Sequence, residues 1–241
     1  MFEDQRNEMV NVSVITITCN RRRFIPRLIE MYRAQLYPLD QMEWIIVDDG
    51  EDKVADLFMY SDLPNVVYLP LAERQLMGEK LNIAKGRATG EIVVVMDDDD
   101  YYPPERVLIA VRALEEYPEI LVAGCSKTYM YYTDTDEVFC AGPYNDNHAL
   151  NCTIAFRSSY TGKYDDNEPC AVERAFLNDF TEDMVQLNSK NTILHIIHST
   201  NTFNAIEGRN KGTLGLLKKT QLKLENFIHD EEMRQAFMGA Y

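Results

Sequence analysis

The sequence GEIVVVMDDDD, residues 90–100, decides the fold of this chain. Its five consecutive apolar residues, 92–96, are mostly β-branched, which predicts a short strand buried on both faces. The apolar run stops at four successive carboxylates, residues 97–100. Strands of this kind lie within α/β sheets, whose ligands bind at the carboxyl ends of the strands. We therefore expect an α/β domain with an acidic site at the end of this strand.

The segment before this strand alternates predicted strands with predicted helices. Apolar runs predict strands at 12–18, 43–47 and 66–69, and helical spacing predicts helices at 24–36, 54–59 and 78–88. This order implies right-handed βαβ units and a mainly parallel sheet that is covered on both faces. Three polar clusters, residues 20–23, 48–49 and 97–100, then lie at the same edge of the sheet.

The second half of the chain has a different pattern. Strands without intervening helices are predicted at 121–132, 137–140, 152–156 and 192–197, which indicates a mixed second half. From about Gly212, apolar spacing predicts one or two amphipathic helices. We divide the chain into a domain at 1–205 and a helical extension at 206–241, packed on the domain or on a second subunit.

Composition excludes several classes of protein. The 46% of hydrophobic residues can fill a sizeable core, and a net charge of -15 argues against duplex nucleic acid as the main partner. Five cysteines without CxxC spacing indicate neither a zinc site nor a disulfide framework. No apolar run is long enough for a membrane span, and the N-terminus MFEDQRNEMV is too polar for a signal peptide. We expect a soluble, cytoplasmic protein.

The acidic run has two interpretations. Mutual repulsion among four carboxylates favours a bound cation, and hard oxygen ligands suit Mg²⁺ or Mn²⁺ with positions left for substrate phosphates. Alternatively, the run is an acidic turn that caps the next helix, because residues 102–105, YPPE, form a good helix opening. The position directly after a buried strand favours the metal site.

Two further clusters are open to both a functional and a structural interpretation. Asp48 and Asp49 precede Gly50, so they either form a tight turn or accept hydrogen bonds from a base or ribose. Arg21, Arg22 and Arg23 either form a solvated loop or bind a diphosphate, although three in a row cannot all face one ligand.

Taken together, these segments resemble a known family. The order TITCNRR, then WIIVDDG, then GEKLNIAKGRATGEIVVVMDDDD is similar to the N-terminal half of the family two glycosyltransferases, over residues 12–106. AFRSSY and KYDDNEPCAVE, residues 155–160 and 163–173, resemble the stretch that leads to the catalytic acids of the family. The resemblance implies the GT-A fold, a Rossmann-like nucleotide-diphospho-sugar transferase fold with a mainly parallel central sheet and a mixed C-terminal half.

The resemblance also implies donor-binding residues. Asp49, with Asp48 as its partner, corresponds to the uracil-binding acid, and Thr18 to the backbone position beside the base. The strand-end loop would contribute Asn20 and Arg21, and Lys80 lies one position from the basic residue that faces the donor.

The metal site and the catalytic base follow from the same resemblance. Asp97 and Asp99 match the two ends of the DxD motif around Asp98, with Asp99 as the direct metal ligand and Asp97 nearer the ribose or a metal-bound water. His198, at a predicted strand end, would complete the metal shell, whereas His195 within the strand is expected to be packed.

The acid pair of the family corresponds here to Val172 and Glu173, so Glu173 is the predicted base and Asp183 of FTEDMVQL is the alternative. A solvated helix face would explain either acid without chemistry.

The predicted function is an inverting, metal-dependent transfer of a sugar from a nucleoside diphosphate sugar, UDP-linked by preference, to an acceptor hydroxyl. The acceptor is a glycan, a protein or a small molecule, and a homodimer is compatible with the C-terminal segment. A sugar-phosphate nucleotidylyltransferase is the alternative enzyme, but it calls for a glycine-rich loop where this chain has CNRRR. A receiver-like cation-binding module is the alternative without catalysis, but it calls for an acidic pair after the first strand rather than the second.

Overall fold

The computed structural model describes residues 9–238 of the chain. The polar N-terminal segment, from which we predicted that no signal peptide is present, lies mostly outside these residues. Each of the five cysteines is free. Between residues 9 and 238, no helix combines the length and apolar character needed to cross a bilayer.

Strands and helices follow one another closely along the chain. The strands are β1 (Val12–Thr18), β2 (Met42–Asp48), β3 (Val66–Pro70), β4 (Ile92–Val95), β5 (Val122–Gly124), β6 (Thr128–Tyr132), β7 (Glu137–Ala141), β8 (Ala155–Arg157), β9 (Met184–Gln186), β10 (His195–Ile197) and β11 (Leu217–Lys219). The helices are α1 (Ile25–Arg33), α2 (Ala55–Met59), α3 (Met77–Arg87), α4 (Arg106–Glu116), α5 (Glu173–Phe176), α6 (Ser189–Thr192), α7 (Ala205–Asn210) and α8 (Glu231–Met238).

The central sheet has the strand order β3-β2-β1-β4-β8-β5-β9. Strands β1 to β4 pair in parallel, β8 runs antiparallel to β4 and β5, and β5 pairs in parallel with β9. The mainly parallel sheet is therefore confirmed. Thr18 lies opposite Asp48, and Ile15 lies opposite Val95, so the loops after β1, β2 and β4 leave the same edge.

Both faces of this sheet are buried, which explains the continuous apolar runs. Val14 and Val94 pack in one core cluster, whereas Ile15 and Val93, one residue away in each strand, pack in a second cluster on the opposite face. Trp44 is fully buried and stacks on Tyr32 of α1, which fixes that helix against the first face.

A second sheet, with the order β10-β6-β7-β11, confirms the mixed second half. Three predicted strands need correction. Residues 121–132 form two strands, β5 and β6, in different sheets, and residues 151–153 form a 3-10 turn before β8. Residues 189–192 form the short helix α6 because the Asn188 side chain accepts a hydrogen bond from the Lys190 backbone N–H and caps it.

The prediction of amphipathic helices from Gly212 through residue 228 is wrong. Gly212 has a left-handed φ of 66°, which stops α7, and the chain then forms β11, which pairs antiparallel with β7. The apolar spacing arises because Leu224, Phe227 and Ile228 fill the main core from a 3-10 turn and the loop after it. Beyond residue 212 in the described chain, only α8 is an α-helix.

Candidate active site

A cavity of about 1070 Å³ opens at the carboxyl edge of the central sheet. Its walls come from the ends of β1 and β4, the start of α3, the start of α5 and the second sheet. The predicted site residues that line it are Thr18, Asn20, Arg21, Lys80, Asp97, Asp98, Asp99 and Glu173. This volume is at the upper end of the range for small-molecule sites, about 300–1,000 Å³.

The four carboxylates after β4 are held in largely buried positions. Asp98, Asp99 and Asp100 are 5%, 7% and 0% exposed, and Asp97 is half-buried. Burial, together with the charges of its three neighbours, raises the pKa of Asp97 well above its ordinary value. The interpretation as a helix cap is not supported, because α4 has Glu105 as its N-cap and the side chain that accepts from its first turn is Gln35, at the Val107 N–H, rather than a carboxylate of the acidic run.

Arg21 supplies a cation to this acidic run. Its guanidinium donates to Asp98 Oδ1 at 3.2 Å and also to Asp99. These two carboxylates outweigh the effect of burial and raise the pKa of Arg21, so it stays charged. Burial and the charge of Asp99 raise the pKa of Asp98 despite Arg21.

The other two arginines of the cluster bond to groups outside the acidic run. Arg22 pairs with Asp52 and Asp56 at 2.9 and 2.8 Å, which anchors the loop before α2. Arg23 lines the cavity and donates to Thr200 Oγ1 at 2.8 Å. The prediction that the three cannot converge on one ligand agrees with this geometry.

Two histidines contact the acidic run. His198 is buried, with Nε2 3.1 Å from Asp99 Oδ2, and this contact together with Arg21 outweighs burial and lowers the pKa of Asp99. His195 Nδ1 lies 2.7 Å from Asp100 Oδ1. Burial disfavours a charged His195, but Asp100 outweighs it and raises the pKa of His195 to about 9.

The donor atoms of the site suit a hard divalent cation. Arg21 contacts Asp98 and Asp99, and His195 contacts Asp100, while the repulsion among the four neighbouring carboxylates would be relieved further by a divalent ion. Asp97 and Asp99 offer oxygen ligands at the cavity surface, as Mg²⁺ and Mn²⁺ prefer.

A second grouping is less suitable for a metal ion. The donor atoms of Asp100, Cys152 and His195 lie within 4.8 Å of one another. Asp100 is already bonded to His195 and to the Ile196 backbone N–H. Burial raises the pKa of Cys152 well above its ordinary value, and a protonated thiol is a poor ligand.

The acidic pair after β2 divides into two roles. Asp48 accepts hydrogen bonds from the backbone N–H groups of Gly50 and Val54 and from the Tyr68 hydroxyl, so it holds the turn together. Asp49 accepts from Lys80 Nζ and from the Gln75 N–H, each at 2.8 Å. Neither carboxylate is among the residues that line the cavity, whereas Lys80 is.

The loop after β1 is tied to the same turn. Asn20 adopts a left-handed φ of 55°, and its Oδ1 accepts from the N–H groups of Glu51 and Asp52. A side chain at Gly50 would bring a Cβ within 2.4 Å of the Asn20 backbone nitrogen, so only glycine fits there. Thr18 is 2% exposed and lies directly before this loop.

The two candidate bases lie in different surroundings. Glu173 is the first residue of α5, is half-buried and lines the cavity, and burial raises its pKa. Asp183 is exposed, directly before β9, and is not one of the cavity residues.

Sequence reasoning missed several residues that line the cavity, and three of them are polar or charged residues close to the acidic run or to Lys80 in the chain or in space. Arg74 and Gln75 lie between β3 and α3, where no motif pointed to them. His195 was expected to be packed, yet it bonds to Asp100 across 95 residues and lines the cavity. The sequence around His195 did not indicate this role, because a single sequence does not show that Asp100, in a distant loop, is its partner.

The fold and the site define an α/β domain with an acidic strand end that lines a large cavity, which is the class predicted from residues 90–100. The family model described as Glycosyl transferase family 2 matches residues 13–175, more than half of the chain. The chain belongs to this family, and the resemblance inferred from the motifs is confirmed.

Solved structures of similar fold include a mannosyltransferase and the protein TarS. The mannosyltransferase PcManGT from Pyrobaculum calidifontis, in complex with GDP-Man and Mn²⁺, is 19% identical with a TM-score of 0.63, over 80% of this chain and 59% of that chain. TarS 1-349 of S. aureus, in complex with UDP-GlcNAc, is 19% identical with a TM-score of 0.66, over 80% and 60%. These similarities confirm the GT-A fold, and this chain spans about 60% of the length of either structure. No curated protein matches the chain.

Proposed function

We propose that this protein is an inverting glycosyltransferase that uses a divalent metal to transfer a sugar from a UDP-sugar to an acceptor hydroxyl. The observation that supports this most directly is the content of one cavity: the acidic strand end, the cations Arg21 and Lys80, and the partly buried acid Glu173. Membership of glycosyl transferase family 2 favours this function over the nucleotidylyltransferase and the receiver-like module.

The donor would lie at the charged end of the cavity. Asp97 and Asp99 would hold Mn²⁺ or Mg²⁺, with His198 completing the metal shell through its position beside Asp99. The metal would neutralise charge that develops on the leaving diphosphate. Lys80 and Arg21 line the same end and would bind phosphate oxygens by charge-assisted hydrogen bonds.

The uridine would lie beside Thr18, Asn20 and Asp98, which line the cavity at the ends of β1 and β4. Asp49 is bonded to Lys80 and the Gln75 N–H, so we propose that it acts on the donor chiefly by fixing Lys80. The S. aureus TarS complex with UDP-GlcNAc supports a uridine donor, while the PcManGT complex with GDP-Man makes a guanosine donor the alternative.

Glu173 would take the proton of the acceptor hydroxyl. A general base works best with a pKa closer to the working pH than that of an exposed carboxylate, and burial raises the pKa of Glu173 in that direction. Direct attack on the donor by the activated hydroxyl gives inversion. Asp183 is the alternative base, and a cytoplasmic location and a homodimer stay predictions from the sequence.

Calorimetry of UDP binding tests the proposal. We expect UDP to bind in the presence of Mn²⁺ and not after chelation, and Asp99→Asn to abolish this binding, because it removes a charged oxygen ligand. Asp52→Asn is the matched control, since Asp52 is exposed, pairs with Arg22 and lies outside the cavity. Equal UDP binding by the wild type with and without Mn²⁺, or by Asp99→Asn, would refute the metal-dependent function.

A further inference from the structure

The second sheet has two faces with different surroundings. Tyr131, Val138 and Ile196 pack into the main core. Successive side chains of a strand point to opposite faces, so Met130 and His195, which lie opposite each other in the register of β6 and β10, share the outer face.

This outer face forms one wall of the cavity. Met130, Ala141, Ile197 and Leu217 all line the cavity, and Leu217 lies opposite Ala141 in the register of β11 and β7. The segment between β10 and β11 adds Phe203 and Leu214. We call these six residues the apolar wall.

Charge is segregated within the cavity. Its Asp, Glu, Lys and Arg residues are Arg21, Arg23, Arg74, Lys80, Asp97, Asp98, Asp99 and Glu173. Of the cavity residues described in the second sheet and at 195–217, none is Asp, Glu, Lys or Arg, and His195 stands at the border beside Asp100. Phosphates and ribose need polar partners, which the charged end provides and the apolar wall does not.

The apolar wall and the proposed base Glu173 line the same cavity, which indicates what kind of ligand would cover the wall. An acceptor hydroxyl must reach Glu173, and the rest of the acceptor then extends into the same cavity. Phe203 is 56% exposed on this wall, so a large aromatic surface is open to a ligand. Polar partners for a glycan come from Thr200, Asn201 and Thr202, which line the cavity beside the wall, whereas the six residues of the wall offer no side-chain hydrogen bond to a hydroxyl group.

We infer that the acceptor is amphipathic: its reactive hydroxyl is joined to an apolar alkyl or aryl group that lies on the apolar wall. This rests on the proposed function, because it names the second substrate of that site. The new bond joins the acceptor oxygen to the anomeric carbon, the bond from that carbon to the diphosphate breaks, and Glu173 receives the hydroxyl proton.

A series of linear alcohols from ethanol to octan-1-ol tests the inference, with Mn²⁺ and the nucleotide sugar that a hydrolysis screen identifies as donor. The product ratio of alkyl glycoside to free sugar should rise about fourfold for each added CH₂ until the wall is covered, from the usual gain for burying a methylene. 3-Phenylpropan-1-ol in parallel distinguishes an aryl from an alkyl preference. A ratio that is independent of chain length, with donor hydrolysis intact, would overturn the inference.

Two neighbouring leucines provide matched variants. Leu217→Gln places an amide on the apolar wall. It should reduce the increase in product ratio between ethanol and octan-1-ol by about tenfold. Leu216→Gln, at an exposed residue that does not line the cavity, should leave it unchanged. Phe203→Ser is the second wall variant and is exposed enough to spare folding, which melting curves check.

Failure of the inference is distinguishable from failure of the proposed function. Metal-dependent UDP binding and donor hydrolysis are measured on the same preparation. If both persist and the alcohols show no chain-length dependence, or Leu216→Gln and Leu217→Gln behave alike, only the apolar acceptor is refuted. If UDP binding is absent, the proposed function itself fails, and the inference with it.

Discussion

Replacing Lys80 with methionine should lower the free energy of unfolding by about 3 kcal/mol at pH 7. Lys80 Nζ lies 2.8 Å from Asp49 Oδ1, and the two side chains are 9% and 0% exposed. Methionine leaves the Asp49 carboxylate buried without its cation, and breaking a buried pair typically costs about 3–5 kcal/mol. We take the lower end because the Gln75 N–H still donates to Asp49. For a chain of this size the melting temperature should fall by roughly 6–12 °C.

A double variant separates the ion pair from simple packing. Asp49→Asn combined with Lys80→Met removes the uncompensated charge and keeps an oxygen that can accept from the Gln75 N–H. It should recover about 2 kcal/mol relative to Lys80→Met alone. Lys163→Met is the matched surface control, since its pair with Asp166 is exposed and screened by water, so this variant should unfold at the same urea concentration as the wild type.

The cost of Lys80→Met should depend on pH. Burial raises the pKa of Asp49, but Lys80 and the Gln75 N–H outweigh it and lower the pKa overall. In the wild type, the stabilisation that the Asp49–Lys80 pair contributes is therefore complete above the ordinary aspartate pKa of about 3.9. It is lost as pH falls through the lower pKa that Asp49 has in the folded protein. Without Lys80, burial of Asp49 is less well offset, so protonation of Asp49 should relieve part of the penalty as pH falls.

Urea unfolding at pH 7 and pH 5 measures these effects. The fluorescence of Trp44, the one tryptophan of the chain and fully buried, reports the transition. The difference in free energy of unfolding between the wild type and Lys80→Met should be smaller at pH 5 than at pH 7. A cost below about 1 kcal/mol at pH 7, or an equal cost in the Asp49→Asn background, would refute the buried ion pair.

The remaining predictions concern donor binding and turnover. Glu173→Gln should keep Mn²⁺-dependent UDP binding in calorimetry but lose about 10²–10⁴-fold in transfer rate. Asp183→Asn should keep the wild-type transfer rate. If instead Asp183→Asn loses the rate and Glu173→Gln keeps it, Asp183 is the base. Because burial raises the pKa of Glu173, the wild-type rate should fall as pH drops through a value above the ordinary glutamate pKa of about 4.3, and a profile flat down to that value contradicts the assignment. At a hundred times its dissociation constant, UDP should raise the unfolding free energy by about 2.7 kcal/mol in Mn²⁺ and leave it unchanged after chelation.

The first half of the fold was predictable because three of its four strands, β1, β2 and β4, are buried on both faces. The predicted strand 12–18 coincides with β1, and the prediction at 43–47 lies within β2. The second half was harder, since β5, β8, β9 and β10 have three residues each and are too short for a periodicity to be recognised. At the C-terminus, leucines that fill a core from loops have a spacing that resembles that of a helix.

The sequence by itself determined that carboxylates follow a buried parallel strand, because an unbroken apolar run shows where the strand ends. Only the tertiary structure decided which side chains meet there. It directs Arg21 to Asp98 and Asp99 but Arg22 to Asp52, bonds His195 to Asp100, and joins Asp49 to Lys80. Burial and strand ends are encoded in local apolar patterns, whereas these ion pairs depend on how loops 30 or more residues apart are oriented by packing.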